Sequence, residues 1–163
     1  MHDDKAYVLI QYVHSIEFVQ SLEHVTDQEW RTAISIGKWT VAEIVGHLIP
    51  WDQFVIDKRL PYLLTNKPLP IGPDAHALNE QSASLSRRLS KQTMISQFIS
   101  TRNHLHNKVQ DIANEYWKTS IIIGTSTLTL NDYLIRLTQH DLHHFAQIRS
   151  ALSKCKLEME DLS

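Results

Sequence analysis

Apolar residues in this chain recur at spacings of three and four far more often than two. Only four glycines and five prolines interrupt them in 163 residues. That pattern predicts an all-helical protein. Leu9, Tyr12, Val13, Ile16, Val19 and Leu22 form the inward stripe of a first helix, from about Asp3 to Glu23. Thr26-Asp-Gln-Glu29 has the capping-box pattern and opens a short helical turn through Trp30 and Ile34. After a connector at Ser35 to Trp39, Thr40-Val-Ala-Glu43 repeats the signal and starts a second helix. Val41, Ile44, Val45, Leu48, Trp51, Val55 and Ile56 make its apolar face, and it runs to about Leu64. Pro50 lies inside it, where the missing N–H is expected to bend the axis.

Lys67-Pro-Leu-Pro-Ile-Gly-Pro73 reads as a loop, because three prolines and a glycine continue neither a helix nor a central strand. The polar, serine-rich Asn79 to Ser90 leaves the start of a third helix anywhere from Ala77 to Lys91. Its strong part carries Met94, Ile95, Phe98, Leu105, Val109, Ile112, Ala113 and Tyr116. Ile121 to Ile123 is a candidate extended piece, Gly124 to Thr127 a connector, and Thr129-Leu-Asn-Asp132 opens a fourth helix. Four long amphipathic helices without internal repeats predict a four-helix bundle in a single domain, residues 1–163. An irregular helical array is the alternative.

Composition narrows the chemistry. The chain is long enough to bury a core without metals or disulfides, so a metal here would be functional rather than structural. A formal net charge of -2 and a pI of about 6.5 give no reason to expect a nucleic-acid partner. The single cysteine, Cys155, excludes an internal disulfide and reads as an inert thiol near a helix end. No apolar run approaches the roughly 18–20 residues of a membrane span. Met1-His-Asp-Asp4 lacks the basic start of a signal peptide. The expectation is a cytoplasmic protein with no membrane partner.

The candidate chemistry lies in the fourth helix. His140 and His144 stand four residues apart, about 40° around a helix axis, so both imidazoles can point at one ion. Ten histidines in the chain make such a pair a weak signal alone. On a helical wheel His144 falls within the apolar face, His140 on its edge and His143 toward the polar side. Asp141 falls near the middle of that face and therefore needs a partner; a buried structural contact is the preferred reading over catalysis. On the third helix Arg102 and His106 lie near the apolar face and His104 points away. Arg102 can hold Asp141 or an anionic substrate group, and the sequence does not decide between them. His47 sits at the margin of the second helix's stripe, where spacing alone favours a partly exposed surface residue. Gln147 is either a partner of a ligand histidine or a polar flank residue. His2, His14, His24 and His76 read as ordinary surface or loop residues.

Two separated segments carry a resemblance. Lys38-Trp-Thr-Val-Ala-Glu-Ile-Val-Gly-His-Leu48 is similar to W-[ST]-x-x-E-x-x-x-H-L. Thr129-Leu-Asn-Asp-Tyr-Leu134 and His140-Asp-Leu-His-His-Phe-Ala-Gln-Ile148 are similar to T-L-x-[ED]-x-L and H-x-x-x-H-x-x-Q-[IL]. In this the chain resembles the DinB-like, or YfiT-like, superfamily of metal-dependent four-helix bundles. It departs from the pattern at Pro50, inside a helix, and at Ala146, where the family often has glycine. The resemblance implies a divalent metal held by His47, His140 and His144. Three imidazoles suit zinc or nickel best, with iron or manganese as alternatives, and leave open positions at the ion. Relatives using low-molecular-weight thiols imply an enzyme that transfers a small thiol to a small-molecule substrate, or a hydrolase on the same site. A non-catalytic metal-binding stress-response or assembly module is the competing class. The family also raises the expectation of a homodimer formed through a helical face.

Overall fold

After the first, each α-helix begins where a side chain accepts a free N–H group of its first turn. The computed structural model describes residues 3–63 and 65–162. His2, and Leu64 at the expected end of the second helix, lie outside the described residues. Helix α1 (Asp3–Ser21) buries Leu9, Tyr12 and Val19 of the predicted stripe together with Val8, whereas Val13, expected inward, is exposed. The capping box before α2 (Asp27–Trp30) closes in both directions: Glu29 N–H donates to Thr26 Oγ1 at 3.1 Å, and Thr26 N–H to Glu29 Oε1 at 3.0 Å. Helix α3 (Val41–Lys58) starts at Thr40, whose Oγ1 accepts the Glu43 N–H at 3.1 Å. Only half of the expected reciprocal cap forms here. The Glu43 carboxylate takes the Thr40 hydroxyl at 3.1 Å and pairs with Arg87 at 3.4 Å instead. Helix α3 continues through Pro50 without interruption and ends at Lys58, short of the expected limit near residue 64, with a separate 3₁₀ turn at Leu60–Tyr62.

The third predicted helix is two helices, α4 (Ala75–Arg88) and α5 (Lys91–Gln110). Leu89 and Ser90 between them are extended, and Ser90 Oγ accepts the Thr93 N–H at 3.1 Å to cap α5. Helix α5 also ends before the predicted limit. Ile112 and Ala113 lie beyond it, and Tyr116 belongs to a single 3₁₀ turn, Asn114–Tyr116. Strands β1 (Ser120–Ile123) and β2 (Ser126–Thr129) form an antiparallel hairpin. Gly124, at φ +59°, supplies the left-handed conformation that its two-residue turn requires. Leu69 N–H donates to Ile122 O at 2.8 Å, which pins the proline-rich loop to this hairpin. Helix α6 (Leu130–Asp161) follows directly, capped by Thr129. No helix among the described residues is long and apolar enough to cross a membrane.

The four long helices α1, α3, α5 and α6 make the bundle. Helix α5 packs on both α1 and α3, α1 packs on α6, and α4 packs on α3. The core has two apolar clusters, one containing Trp30, Ile44, Phe98 and Phe145, the other Tyr12, Val55, Leu105 and Leu134. Each bundle helix places a buried polar residue between the two sets: Ser15, Asp52, Arg102 and, beside Thr138 on α6, Asp141.

Candidate metal centre

Ser15, Asp52 and Asp141 are joined through the Arg102 guanidinium. Its Nε and Nη2 donate to the two oxygens of Asp52 at 2.6 and 3.1 Å, and its Nη1 donates to Asp141 at 2.6 Å and to Ser15 Oγ at 3.0 Å. Phe98 and Tyr12 cover its faces at 4.8 and 5.4 Å. Burial opposes the charge on Arg102, but Asp141 and Asp52 outweigh it and raise its pKa far above the ordinary range. Of the two partners that the sequence left open for Arg102, Asp141 is the one it holds. Asp52 was missed, although it follows Leu48 by four residues and precedes Val55 by three, inside the apolar stripe of α3.

The histidines stand close to these carboxylates along the same helices: His47 five residues before Asp52, and His140 and His144 on either side of Asp141. His47 projects from α3, and His140 and His144 from α6; one ring nitrogen of each lies within 4.8 Å of the others. His47 is buried, against the surface position that spacing favoured, because Trp39 packs on its ring at a centroid distance of 4.8 Å. Its Nδ1 contacts the Ile44 carbonyl oxygen. A carbonyl only accepts, so Nδ1 carries the proton and Nε2 keeps its lone pair. Gln147 Oε1 lies 2.9 Å from His144 Nδ1 and fixes the same tautomer there. The Nε2 atoms of His144 and His140 face each other at 3.1 Å. Two nitrogens on a tetrahedral zinc-sized ion would be separated by about 3.3 Å, so the His140–His144 pair matches such an ion, with the His47 nitrogen within 4.8 Å of both. His143 is exposed and stands outside the group.

The electrostatics suit the same occupant. Burial, helped by the neighbouring His144, lowers His47 to about 3. Burial also lowers His140 and His144. All three rings are therefore neutral at ordinary pH, the form that binds metal. The three histidines open onto a cavity of about 810 Å³ whose walls are mainly apolar and aromatic, including Trp39, Trp51, Phe54, Leu128 and Tyr133. His140 is exposed and His144 half-buried, which leaves the cavity side of the group accessible. His14, His24, His76 and His104 are exposed and His106 is half-buried; none of them joins the cluster.

Residues 16–148, most of the chain, match the sequence profile described as the DinB superfamily. The chain belongs to the DinB superfamily. No characterised protein sequence gives a match. Among solved structures, this DinB protein is similar to YfiT from Bacillus subtilis, described as a probable metal-dependent hydrolase with an unusual four-helix bundle topology. The TM-score is 0.80 at 18% identity, over 96% of this chain and 90% of that one. It is also similar to a mycothiol-dependent maleylpyruvate isomerase, with a TM-score of 0.67 at 11% identity, over 91% of this chain and 63% of that one. At such identities the likeness is one of fold.

Proposed function

We propose that this protein is a divalent-metal enzyme acting on a small molecule, with His47, His140 and His144 as the ligands and transfer of a small thiol as the reaction. The observation that carries the proposal is the convergence of three neutral imidazoles from two helices at the wall of a large apolar cavity. A divalent ion held there supplies a positive charge beside the cavity, enough to lower the pKa of a thiol or a water at an open position. His47 and His144 each present Nε2 because Ile44 and Gln147 occupy Nδ1. Trp39 holds the His47 ring in place and, with Trp51 and Phe54, excludes water from the substrate's apolar part. Thiol transfer is preferred because both carboxylates lining the cavity, Asp52 and Asp141, are already bound to Arg102. Neither is free as the general base that a water attack calls on, whereas a thiol ionises more readily. The mycothiol dependence of one fold neighbour points the same way; the YfiT description favours hydrolysis.

Metal analysis of the purified chain and of His47→Ala and His144→Ala tests the ligand set. About one tightly held divalent ion per chain is expected, lost in both variants; stoichiometric metal retained by either would refute the three-histidine assignment. A panel of small thiols and electrophiles, assayed with and without metal, then tests the reaction. Metal-dependent ester or amide hydrolysis without thiol consumption would replace transfer by hydrolysis, and metal binding with no turnover of either kind would favour the non-catalytic module.

A further inference from the structure

Arg102 has two carboxylates; the other buried arginine has none. Arg59, at the end of α3, is 6% exposed and lines the same cavity as the histidines. Its guanidinium lies 4.9 Å from the Phe54 ring centre and 5.6 Å from that of Tyr133. Its Nε is buried without a hydrogen-bond partner, and none of the ion pairs among the described residues includes it. Its polar neighbour is the Tyr133 hydroxyl, which carries no compensating charge. Aromatic rings satisfy the faces of a guanidinium, but its N–H donors point outward in its plane and call for acceptors there. A buried cation without a counter-charge is costly.

We infer that Arg59 is the recognition point for a carboxylate on a small, largely apolar substrate lying in the histidine-walled cavity. Around that cavity Asp52 and Asp141 are neutralised by Arg102, so among the described residues the lining charges outside any ion pair are Arg59 and the exposed Arg136, both positive. The remaining walls are apolar and aromatic. One buried guanidinium balances one negative charge in a planar fork, which matches a monocarboxylate better than a phosphate dianion. Tyr133 precedes His140 by two turns of α6, about 10 Å along the axis. A molecule anchored at Arg59 therefore extends its apolar body toward the histidines. The inference rests on the proposed function for where the chemistry occurs, but its test does not depend on metal.

The full-length chain, metal-free and zinc-loaded, is titrated with 3-phenylpropionate, its neutral amide and phenyl phosphate, followed by calorimetry and by the fluorescence of Trp39 and Trp51. The acid is expected to bind about 10- to 100-fold more tightly than the amide in both forms, as a charge-assisted hydrogen bond predicts. Arg59→Gln should abolish the preference, Arg59→Lys should keep part of it, and Arg136→Gln should change it by less than about threefold because that side chain is screened. Equal binding of acid and amide to the wild type would overturn the inference, with no variant needed. So would a preference that survives in folded Arg59→Gln, or tighter binding of phenyl phosphate. Loss of the metal assignment would leave the acid preference of the metal-free chain intact, so the two proposals fail separately.

Discussion

Replacing Arg102 by methionine would leave two buried carboxylates without their shared cation. Because breaking a buried pair from one side exposes the full desolvation penalty of the other, Arg102→Met is expected to lower stability by about 3–5 kcal/mol in urea unfolding. A loss below about 1 kcal/mol would mean that the layer of Ser15, Asp52 and Asp141 is not energetically coupled through it. His47 makes a prediction of different kind. Burial holds its ring near a pKa of about 3, whereas in the unfolded chain it takes up a proton near pH 6.5. Between those values the unfolded state binds more protons. The metal-free protein therefore loses stability as pH falls below about 6.5, by up to about 1.4 kcal/mol per pH unit from this residue. Asp52 acts in the opposite sense: burial raises its carboxyl to about 6, against the pull of Arg102, so its stabilising contribution grows as pH falls from about 6 to 4. The His47→Gln variant separates the two. On going from about pH 7 to about pH 5 it should lose less stability than the wild type. Identical losses in urea midpoints would show that a neutral buried imidazole is not a source of the acid sensitivity.

At the scale of elements, the pairing of α3 with α4 depends on one missing side chain. A Cβ on Gly46 would meet Ser86 Oγ at 1.9 Å and Ser86 Cβ at 3.2 Å. Ser86 is buried, and its hydroxyl donates to Ser82 O at 2.8 Å, so it has little room to turn away. Alanine favours a helix over glycine by about 1 kcal/mol, and overpacking typically costs about 1–3 kcal/mol. The clash should win: Gly46→Ala is expected to destabilise, and adding Ser86→Ala should restore more than half of the loss. Additive effects in the double variant would indicate that the helices do not meet there. The sequence gives no sign of this contact, because glycine in an apolar stripe reads only as a weak helix former. The break between α4 and α5 did leave a sign. Ser90 is an N-cap residue, and Leu89 before it with Met94 after it are the two members of a hydrophobic staple, both placed in the same core cluster. The serine-rich composition from Asn79 to Ser90 hid that signal by making the whole segment read as one uncertain start. The reciprocal half of the cap at Thr40 is missing for a tertiary reason: Arg87, 44 residues beyond Glu43, draws off its carboxylate.

Across the whole molecule, the local part of the fold was legible because helical periodicity and caps are properties of neighbouring residues. Long-range placement was not. The helix stripes place Asp141 and Arg102 inward, yet only the bundle brings them together with Asp52 and Ser15 from two other helices. His140 and His144 can be paired from spacing, whereas only the family resemblance joins His47 to them, because its marginal position on the α3 stripe carries no sign that Trp39 packs on its ring. Arg59 carried no signal at all, since a basic residue in the last turn of a helix is ordinarily a solvated partner of the macrodipole. The same long-range geometry sets a global test of the proposed metal site. The histidines lie on α3 and α6, helices that face each other across the cavity, so an ion held by all three would tie the two walls together. An ion bound to the folded chain alone, at about a hundred times its dissociation constant, stabilises it by about 2.7 kcal/mol. For a chain of this length that corresponds to a rise in melting temperature of about 5–10 °C. Zinc or nickel added to chelator-treated protein should produce that rise, and His47→Ala should abolish it along with His140→Ala. A shift that disappears in His140→Ala but survives in His47→Ala would place the ion on α6 alone, and the two walls of the cavity would then be held by packing without it.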